Sequence, residues 1–176
     1  RFPTKPLALI IGKPMILWVA ELTAKAVGHE NAYIATDAEM IAEVVREAGF
    51  HVVMTSPDAL TGTDRIAEAI QDIEADVFIN VQGDEPMLDP ASITKVIEAT
   101  KRYPGSIING YAPIPEGDDP NNVNLPKCVM ASDGRLLYIS RAAVPSFKAK
   151  DKRPNVFYKQ VCIYAFTREQ LNAYAL

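Results

Sequence analysis

Three features of the sequence predict an α/β fold with a mainly parallel sheet, helices on both faces and a β-rich flap. The first two-thirds alternates short β-rich runs with amphipathic helical stretches. One apolar run, Val77-Phe78-Ile79-Asn80, leads straight into an acidic turn, Val81-Gln82-Gly83-Asp84-Glu85-Pro86. After about residue 106 the alternation gives way to hairpin-like segments. Strand–helix alternation is the pattern of parallel sheets built from right-handed crossovers.

Taken in order, Pro14 to Val27 reads as a helix, with proline suited to its first turn. Ala32 to Ala35 reads as a strand, and Thr36-Asp37-Ala38-Glu39 as a capping box. The next helix carries Ile41, Val44 and Val45 on one face and ends near Gly49. Phe50 to Met54 is a strand, Asp64 to Ile73 a helix, and Asp76 to Val81 the strand that delivers the acidic turn. Asp89 and Pro90 then supply a cap and first turn for a helix to about Arg102. Ile107 to Ile114 reads as a strand, followed by a polar loop over 115–126. Cys128 to Met130 and Leu136 to Ile139 flank Asp133-Gly134, a hairpin signal. A basic loop over 145–154 precedes a strand over 158–166, and Thr167 to Gln170 caps a last helix. No repeat or linker interrupts the chain, so 1–176 is expected to be a single domain.

Composition narrows the function. Hydrophobic residues make up 48% and charged residues 23%, as in globular proteins generally. A net charge of -4 provides no basic field for a nucleic acid polymer. No apolar run approaches the roughly 20 residues of a membrane helix. Cys128 and Cys162 form no CxxC and read as reduced core cysteines of a cytoplasmic protein. His29 and His51 have no partners at zinc-ligand spacing.

Four groups carry candidate chemistry. Arg1 and Lys5, held among prolines, are cations suited to a triphosphate; a solvated tail is the competing reading. Thr61, Gly62, Thr63 and Arg65 open a helix whose free N–H groups suit an anion or a base edge; simple capping by Thr63 reads equally well. Asp84 follows a strand, where a carboxylate suits Mg²⁺, and Gln82 is placed to hydrogen-bond a substrate; an ordinary surface turn of Gly, Asp and Pro is the competing reading. Arg141 is a candidate partner for a substrate carboxylate; a surface arginine at a hairpin end is the competing reading. Gln160, Cys162 and Tyr164 alternate onto one strand face, although Tyr164 also reads as a core residue.

The order of these motifs is more specific than any one of them. Lys5-Pro6-Leu7, Gly12-Lys13-Pro14-Met15-Ile16, Ala35-Thr36-Asp37, Thr61-Gly62-Thr63-Asp64-Arg65, Asn80 to Pro86 and Ile139-Ser140-Arg141-Ala142-Ala143-Val144-Pro145 together resemble the CMP-Kdo synthetases. The resemblance runs from Arg1 to about Tyr164. It implies a Rossmann-like fold and a Mg²⁺-dependent homodimer. Such an enzyme transfers CMP from CTP to Kdo, an acid sugar of bacterial lipopolysaccharide, and releases pyrophosphate. Matched position by position, Arg1 and Lys5 fall at the end of the phosphate loop. Thr61, Gly62, Thr63 and Arg65 fall on the nucleotide side, and Asp84 is the metal ligand. By the same match, Gln82, Arg141 and Tyr164 fall at positions on the family's sugar-acid side. The family's first strand, a later metal-site aspartate and much of its dimer-forming segment are expected outside 1–176, so the chain reads as truncated at both ends. Two internal departures stand out. Gln160 occupies a position where the family usually has a sugar-facing histidine, and 122–127 is atypical. These unsettle the choice of sugar more than the reaction. The alternatives are another acid sugar (8-amino-Kdo or one like sialic acid), a metal-dependent glycosyltransferase, and a non-catalytic nucleotide-binding module.

Overall fold

A computed structural model describes residues 4–175. The alternation read from the sequence is realised as β3 (Tyr33–Thr36), α2 (Glu39–Glu47), β4 (His51–Met54), α3 (Gly62–Ala69), β5 (Phe78–Val81) and α4 (Pro90–Arg102). Before them come a two-residue hairpin, β1 (Leu9–Ile10) and β2 (Lys13–Pro14), and α1 (Met15–Val27). After them come β6 (Ile108–Pro113), β7 (Lys127–Met130), β8 (Leu136–Ser140), β9 (Tyr158–Phe166) and α5 (Arg168–Tyr174).

Two compact units emerge. The first joins the chain up to Ile108 with the segment from Cys162 onward, and the second spans Asn109–Val161. In the first unit, β3 and β4 form a parallel ladder in which Ile34 faces Val52. Strand β5 pairs antiparallel with the end of β9, with Asn80 opposite Tyr164. The ladders are therefore mixed where the alternation predicts mainly parallel pairing. β9 arrives from a hairpin excursion without a helical crossover, so nothing forces it to run parallel to β5.

Two apolar clusters hold this unit together. Ile16, Ala20, Ile34, Val45 and Phe50 pack α1 and α2 onto β3 and β4. Ala67, Ile70, Phe78, Phe166 and Leu171 pack α3 and α5 onto β5 and β9. Burying such side chains contributes about 1.5–3 kcal/mol each. Among the described residues no helix is long and apolar enough to cross a membrane.

The helix starts refine the sequence reading. Asp89 caps α4 as expected, its carboxylate accepting from Ala91 N at 2.9 Å. Thr167 and Gln170 form a reciprocal capping box on α5. The box expected at Thr36 does not form. Thr36 Oγ1 accepts from Ala38 N at 3.2 Å, closing a turn two residues ahead, and Glu39 instead pairs with Arg46. A hydroxyl that bonds the backbone two residues on is no longer available to a helix start further along. Helix α3 begins earlier than expected and is capped by Thr61 rather than Thr63.

In the second unit, β7 and β8 are the expected hairpin, with Cys128 opposite Ile139. Its connection is longer than a two-residue turn. Ala131 N donates to Arg135 O at 2.8 Å, and Gly134 sits at φ +87°, a conformation glycine adopts without penalty. β7 also pairs with β9, placing Lys127 opposite Lys159.

Candidate active site

In the first unit, the ends of β3 and β5 border a cleft of about 390 Å³. Its walls include Ile16, Val19, Ile34 and Ile79, and its rim carries Lys5, Gly62, Arg65, Gln82 and Asp84. An apolar slot with a few convergent polar groups is the usual form of a small-molecule site. The acidic turn reaches the rim because β5 is buried and then ends abruptly. Glu85 N donates back to Gln82 O at 3.1 Å, and Leu88 N to Glu85 O at 3.2 Å. The turn comes close to α1 at Gly83, where a Cβ would stand 3.0 Å from Ile16 Cδ1 and that side-chain tip would have to give by a few tenths of an ångström.

Lys5 and Asp84, 79 residues apart in sequence, meet on this rim. Lys5 Nζ lies 2.5 Å from Asp84 Oδ2, with both side chains about half exposed. Lys5 sits in a single 3₁₀ turn, Lys5–Leu7, shaped by Pro6. An exposed ion pair of this kind contributes little to stability. What it supplies is a cation and a carboxylate side by side. Among the described residues no group of three His, Cys, Asp or Glu side chains is arranged to hold a metal ion. The donor set fits a hard cation that arrives with substrate phosphates and takes a single protein carboxylate, which is how Mg²⁺ is commonly bound. Arg1 lies outside the described residues.

The Thr61–Arg65 segment divides into different roles. Thr61 and Asp64 form a capping box in which Thr61 N donates to Asp64 Oδ2 at 2.7 Å and Asp64 N to Thr61 Oγ1 at 3.2 Å. Gly62 and Arg65 line the cleft; Thr61 and Thr63 do not. The Arg65 guanidinium donates to Thr55 Oγ1 at 2.5 Å and stands 3.3 Å from Asp37 Oδ1. Arg65 thus braces the segments after β3 and β4 while keeping one side on the cleft. This bracing was not readable in sequence, because its partners lie 10 and 28 positions away.

Tyr164 is half-buried, packs against the Ala67–Leu171 cluster and stacks on Phe166 at 6.1 Å. The packing role that the sequence left open for it is therefore present. Two further residues escaped the sequence reading. Asn80 is 4% exposed, lines the cleft, and its Nδ2 has no partner. Its signal was a lone amide inside an apolar strand. The other is Lys127, in the second unit.

That unit contains Arg141 and Gln160. Arg141 is exposed, and its Nη1 donates to Val123 O at 2.7 Å. Gln160 N donates to Pro126 O at 2.8 Å, and its Nε2 to Asn109 Oδ1 at 3.3 Å. Lys127 is wholly buried, and its Nζ donates to Asn122 O at 3.0 Å and Arg141 O at 2.5 Å. Burial first, and the neighbouring Arg141 charge second, push the Lys127 ammonium below the ordinary lysine value. Burial likewise raises the Cys128 thiol, which suits a packing role.

Comparison with known proteins adds sequence and structural likeness to this geometry. A family model described as "Cytidylyltransferase" matches residues 1–175. An 8-amino-3,8-dideoxy-manno-octulosonate cytidylyltransferase from Shewanella sp. (strain ANA-3) is 45% identical, over 99% of this chain and 73% of that protein. The protein of the same name from Shewanella frigidimarina is 42% identical over the same shares. A solved CMP:2-keto-3-deoxy-manno-octonic acid synthetase complexed with CTP superposes with a TM-score of 0.90 at 32% identity, covering 99% of this chain and 72% of that one. The Rossmann-like α/β fold is thereby shared with a solved relative.

Proposed function

Since the chain belongs to the cytidylyltransferase family, we propose that it transfers CMP from CTP to the anomeric hydroxyl of 8-amino-3,8-dideoxy-manno-octulosonate, releasing pyrophosphate. The observation that carries this reading is the 45% identity, across 99% of the chain, to relatives bearing that name. A second consideration, from the family resemblance, points toward the amino sugar. By that resemblance Gln160 stands where a sugar-facing histidine is usual. Histidine titrates near neutral pH and so carries part of a positive charge. Glutamine carries none, and offers a carbonyl acceptor instead. An ammonium group on the sugar is better tolerated beside it. Kdo itself is the second reading, favoured by the TM-score of 0.90 to the CTP-bound synthetase.

In the reaction, the sugar hydroxyl oxygen attacks the α-phosphorus of CTP. The bond from that phosphorus to the bridging oxygen breaks, and the hydroxyl proton passes to solvent. Such transfers need positioning and charge neutralisation more than covalent help. Lys5, at the cleft rim, would neutralise the leaving pyrophosphate, together with Arg1. Gly62 opens α3 and would present its backbone N–H to the nucleotide, with Arg65 as the rigid wall beside it. Thr61 and Thr63 would act by shaping that helix start. Gln82 would orient the sugar, Arg141 would receive its carboxylate, and Tyr164 would stiffen the β5–β9 ladder. A Mg²⁺ ion held by Asp84 and the triphosphate would supply neutralisation of phosphate oxygens. A cytoplasmic homodimer is part of the same reading.

The test is pyrophosphate release by the full-length gene product given CTP and, separately, the 8-amino sugar, Kdo and sialic acid. The expected result is fastest turnover with the 8-amino sugar. Equal or faster turnover with Kdo transfers the assignment to the second reading, and no turnover with any acid sugar overturns both.

A further inference from the structure

Within the second unit, one buried cation has no place in the reaction as described. Lys127 lies on β7 with its side chain fully buried, yet it presents its ammonium to two backbone carbonyls rather than to solvent. A buried lysine is costly, and an apolar residue of similar length fills such a position more favourably unless the charge is used. The two carbonyls are not arbitrary. One belongs to Asn122, in the loop that leads into β7, and the other to Arg141, just past the end of β8. Arg141 returns the link, its guanidinium donating to Val123 O at 2.7 Å. The two cations therefore donate to neighbouring carbonyls of the same short loop, one through a buried ammonium and one through an exposed guanidinium.

The arrangement has a second branch. Gln160 N donates to Pro126 O, the residue before Lys127, and Lys127 is opposite Lys159 in the β7–β9 register. The 122–127 segment is thus the common anchor of both Arg141 and Gln160. Lys127 and Arg141 are like charges near enough to interact, with the Asp119 carboxylate as the opposing charge on Lys127. The lowered Lys127 proton affinity, caused partly by Arg141, is consistent with that proximity.

We propose that Lys127 is a positioning residue for the acid sugar. By holding the Asn122 and Arg141 backbones it fixes the Arg141 guanidinium where a sugar carboxylate is received. This rests on the reading of Arg141 as the carboxylate partner.

The test uses the full-length gene product and compares Lys127→Met, Lys127→Gln and wild type, with KM measured separately for CTP and for the acid sugar. Misplacing a substrate-orienting group by about 1 Å costs on the order of 10²-fold. The expected result is a rise of about 10- to 100-fold in the sugar KM for Lys127→Met, with the CTP KM within about twofold and a smaller rise for Lys127→Gln. In an Arg141→Gln background, the added effect of Lys127→Met on the sugar KM disappears. A merely structural role would lower the active fraction, and so kcat, while leaving both KM values unchanged. That outcome overturns the proposal, as does an unchanged sugar KM or loss of folding in both Lys127 variants. Absence of pyrophosphate release by wild type would instead overturn the functional reading on which the proposal stands.

Discussion

Asp84 is set apart from the other acidic residues by its place on the rim of a cleft with Lys5 2.5 Å away. Because the pair is about half exposed, its removal changes stability by no more than about 1 kcal/mol. Under the proposed function its loss would matter more for catalysis, since a carboxylate holding a metal–triphosphate complex would act on developing charge. Asp84→Asn is expected to lower kcat/KM by at least about 10²–10³-fold while thermal unfolding stays within a few degrees of wild type. Near-normal pyrophosphate release by this variant contradicts the site assignment. The place of Asp84 and Gln82 at the cleft rim was legible in sequence because they follow a buried strand directly, and a strand end is a local feature. The contacts of Arg65 and Lys127 were not. Arg65 is fixed by Thr55 and Asp37, and Lys127 by Asn122 and Arg141, contacts that exist only once distant segments are brought together.

At the scale of elements, the helix starts separate what sequence specifies from what packing decides. Asp89 and Thr167 cap the helices expected of them. The Thr36 motif satisfies the same pattern but closes a turn toward Ala38 instead. The start of α3 matters most for function, since Gly62 and Arg65 border the cleft and Thr61 caps the helix that carries both. Thr61→Ala removes the hydroxyl acceptor of the capping box. It is expected to destabilise the fold by about 1 kcal/mol and to raise the KM for CTP more than that for the sugar. Urea denaturation and paired KM measurements check this, and unchanged values in both would show that the cap supports neither helix nor nucleotide.

For the molecule as a whole, alternation of strands and helices was enough to read an α/β fold, because amphipathic period and turn residues are local signals. Strand direction was less legible. The antiparallel pairing of β5 with β9 joins residues about 85 positions apart, and no periodicity encodes it. The sugar was harder still. In the sequence only Gln160 and the 122–127 segment raised the question, and the proposed choice of the amino sugar leans on the likeness to the Shewanella proteins. Specificity is a ratio of kcat/KM values, so it is read most directly when two sugars compete in one reaction. The decisive measurement is mass-spectrometric product analysis after the full-length gene product is given CTP and equimolar 8-amino-3,8-dideoxy-manno-octulosonate and Kdo. The account predicts that the CMP ester of the amino sugar dominates early product. Dominance of CMP-Kdo, or consumption of a supplied CMP-sugar without any CMP transfer from CTP, would contradict it.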